Sequence, residues 1–296
     1  MPYLAGLLAL LGGLGGIFLV GVHLAFRVPP RRETGTPAAY GLSFREVRIP
    51  TVRRRQLFAW WLPGRASAPT VIILHGWGAN AELMLPLAAP FAAAGLNVLL
   101  LDARGHGRSD RDTFASMPRF AEDAGAAVDW VKAQEGGSRG GIVLVGHSVG
   151  AGAVLLEAGR RRDVGAVISI AAFAHPRWMM SRYLRGFRLP GAVDRLVQAY
   201  VQWLIGHRFA DIAPLRTVCL VHCPLLLVHG EADATVPITD GERLASVSGA
   251  RLLRIPGAGH GSVEEVEGYG EGLISWLRDS LPCGVSADKC GTGGSD

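Results

Sequence analysis

The sequence predicts an α/β fold in which helices cover both faces of a mostly parallel β-sheet. From about residue 45 onwards, short apolar runs rich in β-branched residues alternate with longer stretches of helical periodicity. The chain has 296 residues, of which 49% are hydrophobic and 19% charged, so it is long enough to bury one large core. We therefore expect one sheet-based domain with additional segments at its ends.

The elements follow from this alternation in order. The predicted strands are residues 45–52, 57–63, 70–75, 97–102, 141–145, 166–170, 224–229 and 251–255. The predicted helices are residues 79–94, 120–134, 148–160, 240–246 and 263–281. The first two strands read as a hairpin, with Arg53, Arg54 and Arg55 in its turn. Residues 173–221 interrupt the alternation with helical material, which we expect to form a small cap above the sheet.

The N-terminus has the character of a membrane anchor. Residues 3–26 carry no charge, apart from the ionisable His23, and would span a hydrocarbon core of about 30 Å as a helix. No basic residue precedes this run, whereas Arg27, Arg31 and Arg32 follow it. This favours an uncleaved single-pass transmembrane helix with the following domain in the cytoplasm, and a cleaved signal peptide is the alternative.

The chain thus divides into four parts. The C-terminal part is predicted to be disordered because it is polar and lacks apolar residues. The four parts are a transmembrane anchor (1–27), a linker (28–44), the sheet-based domain with its cap at about 173–221 (45–282), and a tail (283–296).

Composition argues against nucleic acid and metal as partners. The formal charge is +5, but all except two of the 30 basic residues are arginines and they are scattered, whereas a nucleic-acid site concentrates them on one face. The four cysteines, Cys219, Cys223, Cys283 and Cys290, lack the paired spacing of a zinc site. We predict no metal and no cofactor. A bridge between Cys283 and Cys290 and free thiols are both left open.

A candidate nucleophile lies between a strand and a helix. Residues 146–150 read Gly-His-Ser-Val-Gly, directly after the apolar run GIVLV and before the helical run AGAVLLEAG. In this context the glycines permit a strained turn that lifts the hydroxyl of Ser148 above the sheet. A serine hydroxyl needs a histidine base, and that histidine needs a carboxylate to orient it.

Both partners follow in the expected order along the chain. Asp233 lies in HGEADATVP, immediately after the strand PLLLV, and is the predicted acid, with Glu231 as the alternative. His260 lies in the glycine-containing loop after the last strand and is the predicted base. The sequence therefore predicts a triad of Ser148, His260 and Asp233.

The negative charge that forms on the attacked carbonyl oxygen requires backbone N–H donors. Val149, which follows the nucleophile, and Trp77, in the motif HGWG after strand 70–75, are the predicted oxyanion-hole residues. His75, in the same motif, is interpreted as a buried hydrogen-bonding residue and not as a catalyst.

The motifs HGWG, DARGHGRSD, GHSVG, HGEADATVP and GAGH, in this order, resemble the α/β-hydrolase superfamily over residues 45–281. The stretch FADIAPL at residues 209–215 is similar to bacterial hydrolases allied to serine aminopeptidases and monoacylglycerol lipases. The resemblance implies an α/β-hydrolase fold and a structural role for Arg104 and His106. The residue in the strained turn is a serine, which argues against membership in the dehalogenases, epoxide hydrolases and dienelactone hydrolases of the superfamily.

The resemblance implies a carboxylesterase-like or lipase-like serine hydrolase that forms an acyl-enzyme from a small acyl substrate. Because of the predicted anchor, we expect the substrates to be lipid-like esters drawn from the membrane surface. Residues 175–187 of the cap are expected to form either a lid or a helix packed on the domain. Peptidase, thioesterase and acyltransferase activities remain open because fold and triad do not determine the leaving group. A non-catalytic membrane scaffold is the remaining alternative.

Overall fold

The computed structural model describes residues 2–29, 31–134, 139–186, 190–261 and 268–281. Its eight strands are β1 Arg45–Thr51, β2 Arg55–Leu62, β3 Thr70–Leu74, β4 Asn97–Leu101, β5 Ile142–His147, β6 Ala166–Ile170, β7 Leu225–Gly230 and β8 Arg251–Ile255. They form one sheet in the order β1-β2-β4-β3-β5-β6-β7-β8. Only the pairs that involve β2 are antiparallel. The prediction of a mostly parallel sheet is confirmed.

The described helices are α1 Pro2–Ala25, α2 Leu85–Ala93, α3 Met117–Ala133, α4 Val149–Ala158, α5 Pro176–Arg185, α6 Gly191–Ile205, α7 Phe209–Ile212, α8 Pro214–Thr217, α9 Ile238–Ser248 and α10 Gly270–Ser280. Side chains of a strand alternate between the two faces of its sheet. In β3, Ile72 and Leu74 accordingly join the core beneath α3, α4 and α9, whereas Val71 and Ile73 join the core beneath α2 and α10. Helices therefore cover both faces, as predicted.

Several element boundaries differ from the prediction for local reasons. The predicted helix 79–94 is a 3-10 turn, Ala81–Met84, followed by α2, and Pro86 stands in the first turn of α2, where its missing N–H costs nothing. Strand β5 continues to His147, two residues further than predicted. Helix α10 begins at Gly270, and residues 263–267 of the predicted helix lie outside the described residues.

The part of the chain predicted as a cap holds helices α5 to α8, between β6 and β7. Helix α5 is attached to the domain by Arg182, whose two terminal nitrogens donate to both carboxylate oxygens of the buried Asp240 in α9, each at 2.7 Å. Met179 and Met180 pack against the core beneath. These contacts favour the interpretation of α5 as a packed helix over that of a lid.

The prediction of a transmembrane anchor at residues 1–27 is not supported. Crossing a membrane requires about 20 consecutive, mostly apolar residues in a helix. Across the described ranges, no helix meets the requirements of length and hydropathy together. The predicted location of the domain on the cytoplasmic side depended on that anchor and has no support either. The predicted disordered tail, with Cys283 and Cys290, lies outside the described residues.

The chain that follows α1 contacts the domain instead of running free. The backbone carbonyl of Phe26 accepts a hydrogen bond from Ala115 N–H at 2.9 Å, and Arg27 Nε donates to the Thr113 carbonyl at 3.1 Å. Phe26 and Val28 pack against the core, as does Val22 in the last turns of α1. The chain is thereby held near the edge of the sheet at which the parallel strands have their carboxyl ends.

Candidate active site

The predicted site residues all follow strands that end at one edge of the sheet. Ser148 follows β5, Asp233 follows β7, and His260 follows β8, while Trp77 follows β3. These four strands point in the same direction, so the loops at their carboxyl ends lie together, which is where open α/β sheets bind ligands.

The turn that holds Ser148 has the strain predicted for it. Ser148 has φ 55° and ψ −115°, a backbone conformation that residues other than glycine rarely adopt. A Cβ on Gly150 would lie 2.5 Å from the backbone oxygens of both Leu74 and His75, and a Cβ on Gly146 would collide with the backbone of Gly150. The two glycines therefore allow β3, β5 and α4 to approach closely enough to hold this turn.

The three residues of the predicted triad form a continuous hydrogen-bonded chain. His260 Nε2 lies 2.9 Å from the Ser148 hydroxyl oxygen, and His260 Nδ1 lies 2.7 Å from Oδ2 of Asp233. A carboxylate can only accept, so Nδ1 carries the hydrogen and Nε2 presents its lone pair to the serine hydroxyl. The arrangement is that of a base poised to take the proton of Ser148.

Asp233 is held as an anion within the protein. Its second oxygen accepts hydrogen bonds from the backbone N–H groups of Thr235 and Val236, at 2.9 and 2.8 Å. Burial acts to raise the pKa of this carboxyl, but the hydrogen bonds from His260 and Val236 outweigh it and hold the pKa below its usual value.

Glu231, the alternative acid, does not occupy this position. Its side chain is exposed, and no hydrogen bond joins it to His260 in the part of the chain that the structure describes. The geometry therefore distinguishes Asp233 from Glu231, a choice that the sequence left open.

The predicted oxyanion-hole residues, Val149 and Trp77, are both near Ser148. Val149 begins α4, where the first backbone N–H groups have no partner within the helix. Trp77 lines the same cavity as Ser148. Two histidines brace its loop: His75 Nδ1 donates to the Gly76 carbonyl at 2.7 Å, and the N–H of Gly78 donates to His106 Nε2 at 3.2 Å. The oxyanion role of these N–H groups remains a prediction.

A buried ion cluster supports the neighbouring loop. Arg104 donates to Asp123 at 2.7 Å and to Glu122 at 2.5 Å, and its guanidinium is almost wholly buried. Arg104 does not line the cavity, which agrees with the structural role that the resemblance implied. Among the described residues, no group of three or more His, Cys, Asp or Glu side chains is arranged to hold a metal ion.

His147, directly before the nucleophile, contributes a contact that the sequence analysis missed. Its Nε2 lies 2.8 Å from the backbone carbonyl of His260 and must donate the hydrogen, because a carbonyl only accepts. Burial, with the nearby His260, lowers the pKa of His147 to about 4, so the ring is neutral at pH 7. Its place inside the pentapeptide was the only sequence signal, and that signal does not reveal which group it contacts.

One wall of the cavity at Ser148 is formed by residues 31–40, which the sequence did not predict to be near the site. The cavity measures about 420 Å³, and it is lined by Ser148, His147 and His260, by residues of the stretch 76–86, and by Arg31, Arg32, Thr34 and Tyr40. We call residues 31–40 the strap. They were predicted to be part of a linker. No described residue of the cap, by contrast, lines this cavity.

Polar contacts hold the strap against the domain. The N–H of Thr34 donates to the carboxylate of Glu82 at 3.0 Å, and its hydroxyl donates to the same carboxylate at 2.7 Å. Glu33 lies 3.7 Å from Arg108, which also pairs with Glu46. Burial, and to a lesser degree the charge of Asp102, raises the pKa of Glu33 to about 7.

Comparison with known proteins agrees with this architecture. Residues 65–214, about half of the chain, match the family described as serine aminopeptidase, S33. An uncharacterized protein of Mycobacterium tuberculosis is 29% identical over 230 residues, which cover 76% of this chain and 75% of that protein. The bifunctional esterase/perhydrolase DCH of Acinetobacter calcoaceticus is 25% identical over 264 residues, which cover 73% of this chain and 94% of that protein.

Solved structures share the fold. The Pyrococcus furiosus esterase Pf2001 superimposes with a TM-score of 0.69 over 86% of this chain and 99% of its own, at 20% identity. Est1E of Butyrivibrio proteoclasticus, solved with ferulic acid bound, superimposes with a TM-score of 0.61 at 22% identity and covers 78% of this chain and 99% of its own. The chain belongs to the serine aminopeptidase S33 family and is a hydrolase of the α/β-hydrolase fold.

Proposed function

We propose that this protein hydrolyses carboxylic esters through an acyl-enzyme on Ser148. The observation that carries the proposal is the unbroken hydrogen-bonded chain from the Ser148 hydroxyl through His260 to Asp233, with distances of 2.9 and 2.7 Å. In the proposed mechanism Ser148 is the nucleophile, His260 the general base and Asp233 the residue that orients it.

The reaction has two halves that use the same groups. Ser148 Oγ attacks the ester carbonyl carbon while His260 Nε2 takes its proton, and the backbone N–H groups of Trp77 and Val149 hold the oxyanion. As the tetrahedral intermediate collapses, the bond to the alcohol breaks and His260 returns the proton to the leaving oxygen. Water then attacks the acyl-serine with His260 as base, which releases the carboxylic acid and restores the serine.

An ester is favoured over an amide on two grounds. Both the relative from Acinetobacter and the structural neighbour from Pyrococcus are described as esterases. An alkoxide is also a better leaving group than the amide ion that an unprotonated amine would form, so an ester places a smaller demand on the general acid than an amide does. The proposal includes no membrane anchor, which the described helices do not support.

Aminopeptidase activity, which the family description raises, is the second candidate. An aminopeptidase must hold the ammonium group of its substrate, for which a free carboxylate is the natural partner. The carboxylate in the cavity wall, that of Glu82, is already bound by Thr34, and Arg31 and Arg32 line the same cavity. The charges of the cavity thus favour the ester over an aminoacyl amide.

The test combines labelling with a substrate panel. A fluorophosphonate probe should label the wild-type protein and fail to label Ser148→Ala, because the probe reacts only with an activated serine. Wild-type protein without label would overturn the nucleophile assignment. Hydrolysis is then compared for p-nitrophenyl esters from acetate to palmitate, a thioester and an aminoacyl p-nitroanilide. Faster turnover of the thioester or anilide than of every ester would replace the proposed activity with the corresponding alternative.

A further inference from the structure

The strap brings two arginines into the cavity that contains the proposed nucleophile. Arg31 and Arg32 both line it together with Ser148 and His260. Both side chains are exposed, and among the described residues neither has an ion-pair or hydrogen-bond partner for its guanidinium group. An unpaired guanidinium at a binding cavity is available to a ligand, unlike one already engaged with a carboxylate of the protein.

The position of these arginines is set by contacts on both sides of them. Before them, the Phe26 ring packs edge-on against Trp77, with 5.8 Å between the ring centroids. After them, Thr34 is bound to Glu82, which itself lies in the cavity wall. The backbone of the strap is therefore attached to the same stretch of chain that carries the proposed oxyanion-hole residue Trp77.

The other charged groups of the cavity neutralise the two arginines only in part. Glu82 keeps its negative charge, because the N–H and the hydroxyl of Thr34 that bind it are neutral donors, but one carboxylate offsets one arginine at most. His147 is buried and neutral at pH 7, since burial lowers its pKa to about 4. Glu33, on the strap itself, faces Arg108 at 3.7 Å and does not line the cavity. The cavity wall therefore presents an excess of positive charge.

We propose that Arg31 and Arg32 are specificity residues that select esters carrying a second, negatively charged group, such as a carboxylate or a phosphate. This inference rests on the proposed ester hydrolysis and adds the substrate class. A guanidinium group forms paired hydrogen bonds with the oxygens of either anion, and two adjacent arginines give the site two such forks. The anion is bound by the strap while the ester carbonyl lies at Ser148.

The experiment compares two esters that differ only in the distal charge. Mono-p-nitrophenyl adipate and p-nitrophenyl hexanoate have the same chain length and leaving group, but only the adipate ester ends in a carboxylate. For the wild-type protein we expect the larger kcat/KM with the adipate ester. In Arg31→Gln/Arg32→Gln, kcat/KM for the adipate ester should fall about tenfold, mainly through KM, because the anion is bound alike in the ground and transition states. The hexanoate value should change by less than about threefold.

The matched control removes two positive charges elsewhere. Arg160 and Arg162 lie just beyond the end of α4, away from the cavity, and both are exposed. Arg160→Gln/Arg162→Gln should leave the ratio of the two kcat/KM values unchanged, whereas Arg31→Glu/Arg32→Glu should reverse the preference. High salt should lower the ratio for the wild-type protein and not for the Gln pair at residues 31 and 32, since it screens exposed charges.

Failure of this inference can be distinguished from failure of the proposed function. A wild-type protein that hydrolyses both esters, with a ratio that the Gln pair at residues 31 and 32 leaves unchanged, would overturn the role of the arginines and leave ester hydrolysis standing. Equal loss on both esters in that variant would also overturn it, because the strap would then be only a structural support. Hydrolysis of neither ester, together with no fluorophosphonate label, would remove the proposed function and this inference with it.

Discussion

The two sides of the cavity are built in different ways. On one side, Ser148, Asp233 and His260 follow strands in the middle and at one end of a buried sheet, and each is held by hydrogen bonds of 2.7 to 2.9 Å. On the other side, the strap has no strand and is attached mainly through the carboxylates of Glu82 and Glu33. Under the two proposals above, the core positions the reacting groups, whereas the strap, a segment with few attachments, recognises the substrate. The following predictions test that division, from the largest expected effect to the smallest.

The largest effect should come from Asp233→Asn. An asparagine amide can donate to His260 Nδ1, which favours the tautomer whose Nε2 carries hydrogen and cannot accept the serine proton. We expect kcat for ester hydrolysis to fall about ten-thousandfold with little change in the melting temperature. Glu231→Gln is the matched control, since Glu231 is exposed, and it should retain activity within about twofold. The reverse pattern, with Glu231→Gln inactive and Asp233→Asn active, would assign the acid to Glu231.

A smaller effect is expected from His147→Phe. The substitution keeps a ring but removes the N–H that donates to the His260 carbonyl at 2.8 Å, so the loop that carries His260 loses one attachment. We expect kcat/KM to fall about tenfold. His147→Gln, whose side-chain amide can supply an N–H, should restore part of the activity. If both variants lose activity equally while their melting temperatures match the wild type, the hydrogen bond is not what His147 contributes.

The smallest effect concerns the strap and depends on pH. Burial raises the pKa of Glu33 from 4.5 to about 7, so between these values the folded protein holds a proton that the unfolded chain has released. The free energy of unfolding therefore decreases as the pH rises through this window, and the full penalty is present above about pH 7. Glu33→Gln should remove the penalty and stabilise the protein at pH 8 by roughly 1–2 kcal/mol relative to the wild type, and by less at pH 5.

Urea unfolding of both proteins at the two pH values measures this difference. The exposed Glu231→Gln variant serves as the control and should show no such change between pH 5 and pH 8. If Glu33→Gln is less stable than the wild type at pH 8, the pair with Arg108 contributes more than the burial of Glu33 costs. The strap would then be held more strongly than its 3.7 Å contact to Arg108 implies.

The membrane anchor is a prediction from composition that the structure does not support. An uncharged apolar run indicates a membrane span only through its length and hydropathy, and the described helices do not meet that requirement. The prediction did not consider that the C-terminal end of this run could pack on the domain. Phe26 does so, with its ring against Trp77 and its carbonyl bound to Ala115 N–H.

The sequence by itself determined the sheet, the order of its elements and the residues proposed for catalysis. These depend on local features: apolar periodicity defines a strand, and the glycines around Ser148 permit a strained turn between a strand and a helix. Asp233 and His260 were identified because each follows such a strand, and the carboxyl ends of parallel strands must meet at one edge.

Only the tertiary structure decided what encloses the cavity. The strap is bound through pairs such as Thr34 with Glu82, which are 48 residues apart, and its short polar sequence has no periodicity that would indicate a buried face. The choice of Asp233 over Glu231 was likewise made by distance to His260, because two carboxylates in one loop are equivalent until the chain folds. Contacts between groups remote in sequence depend on how the whole sheet assembles, and no local pattern encodes them.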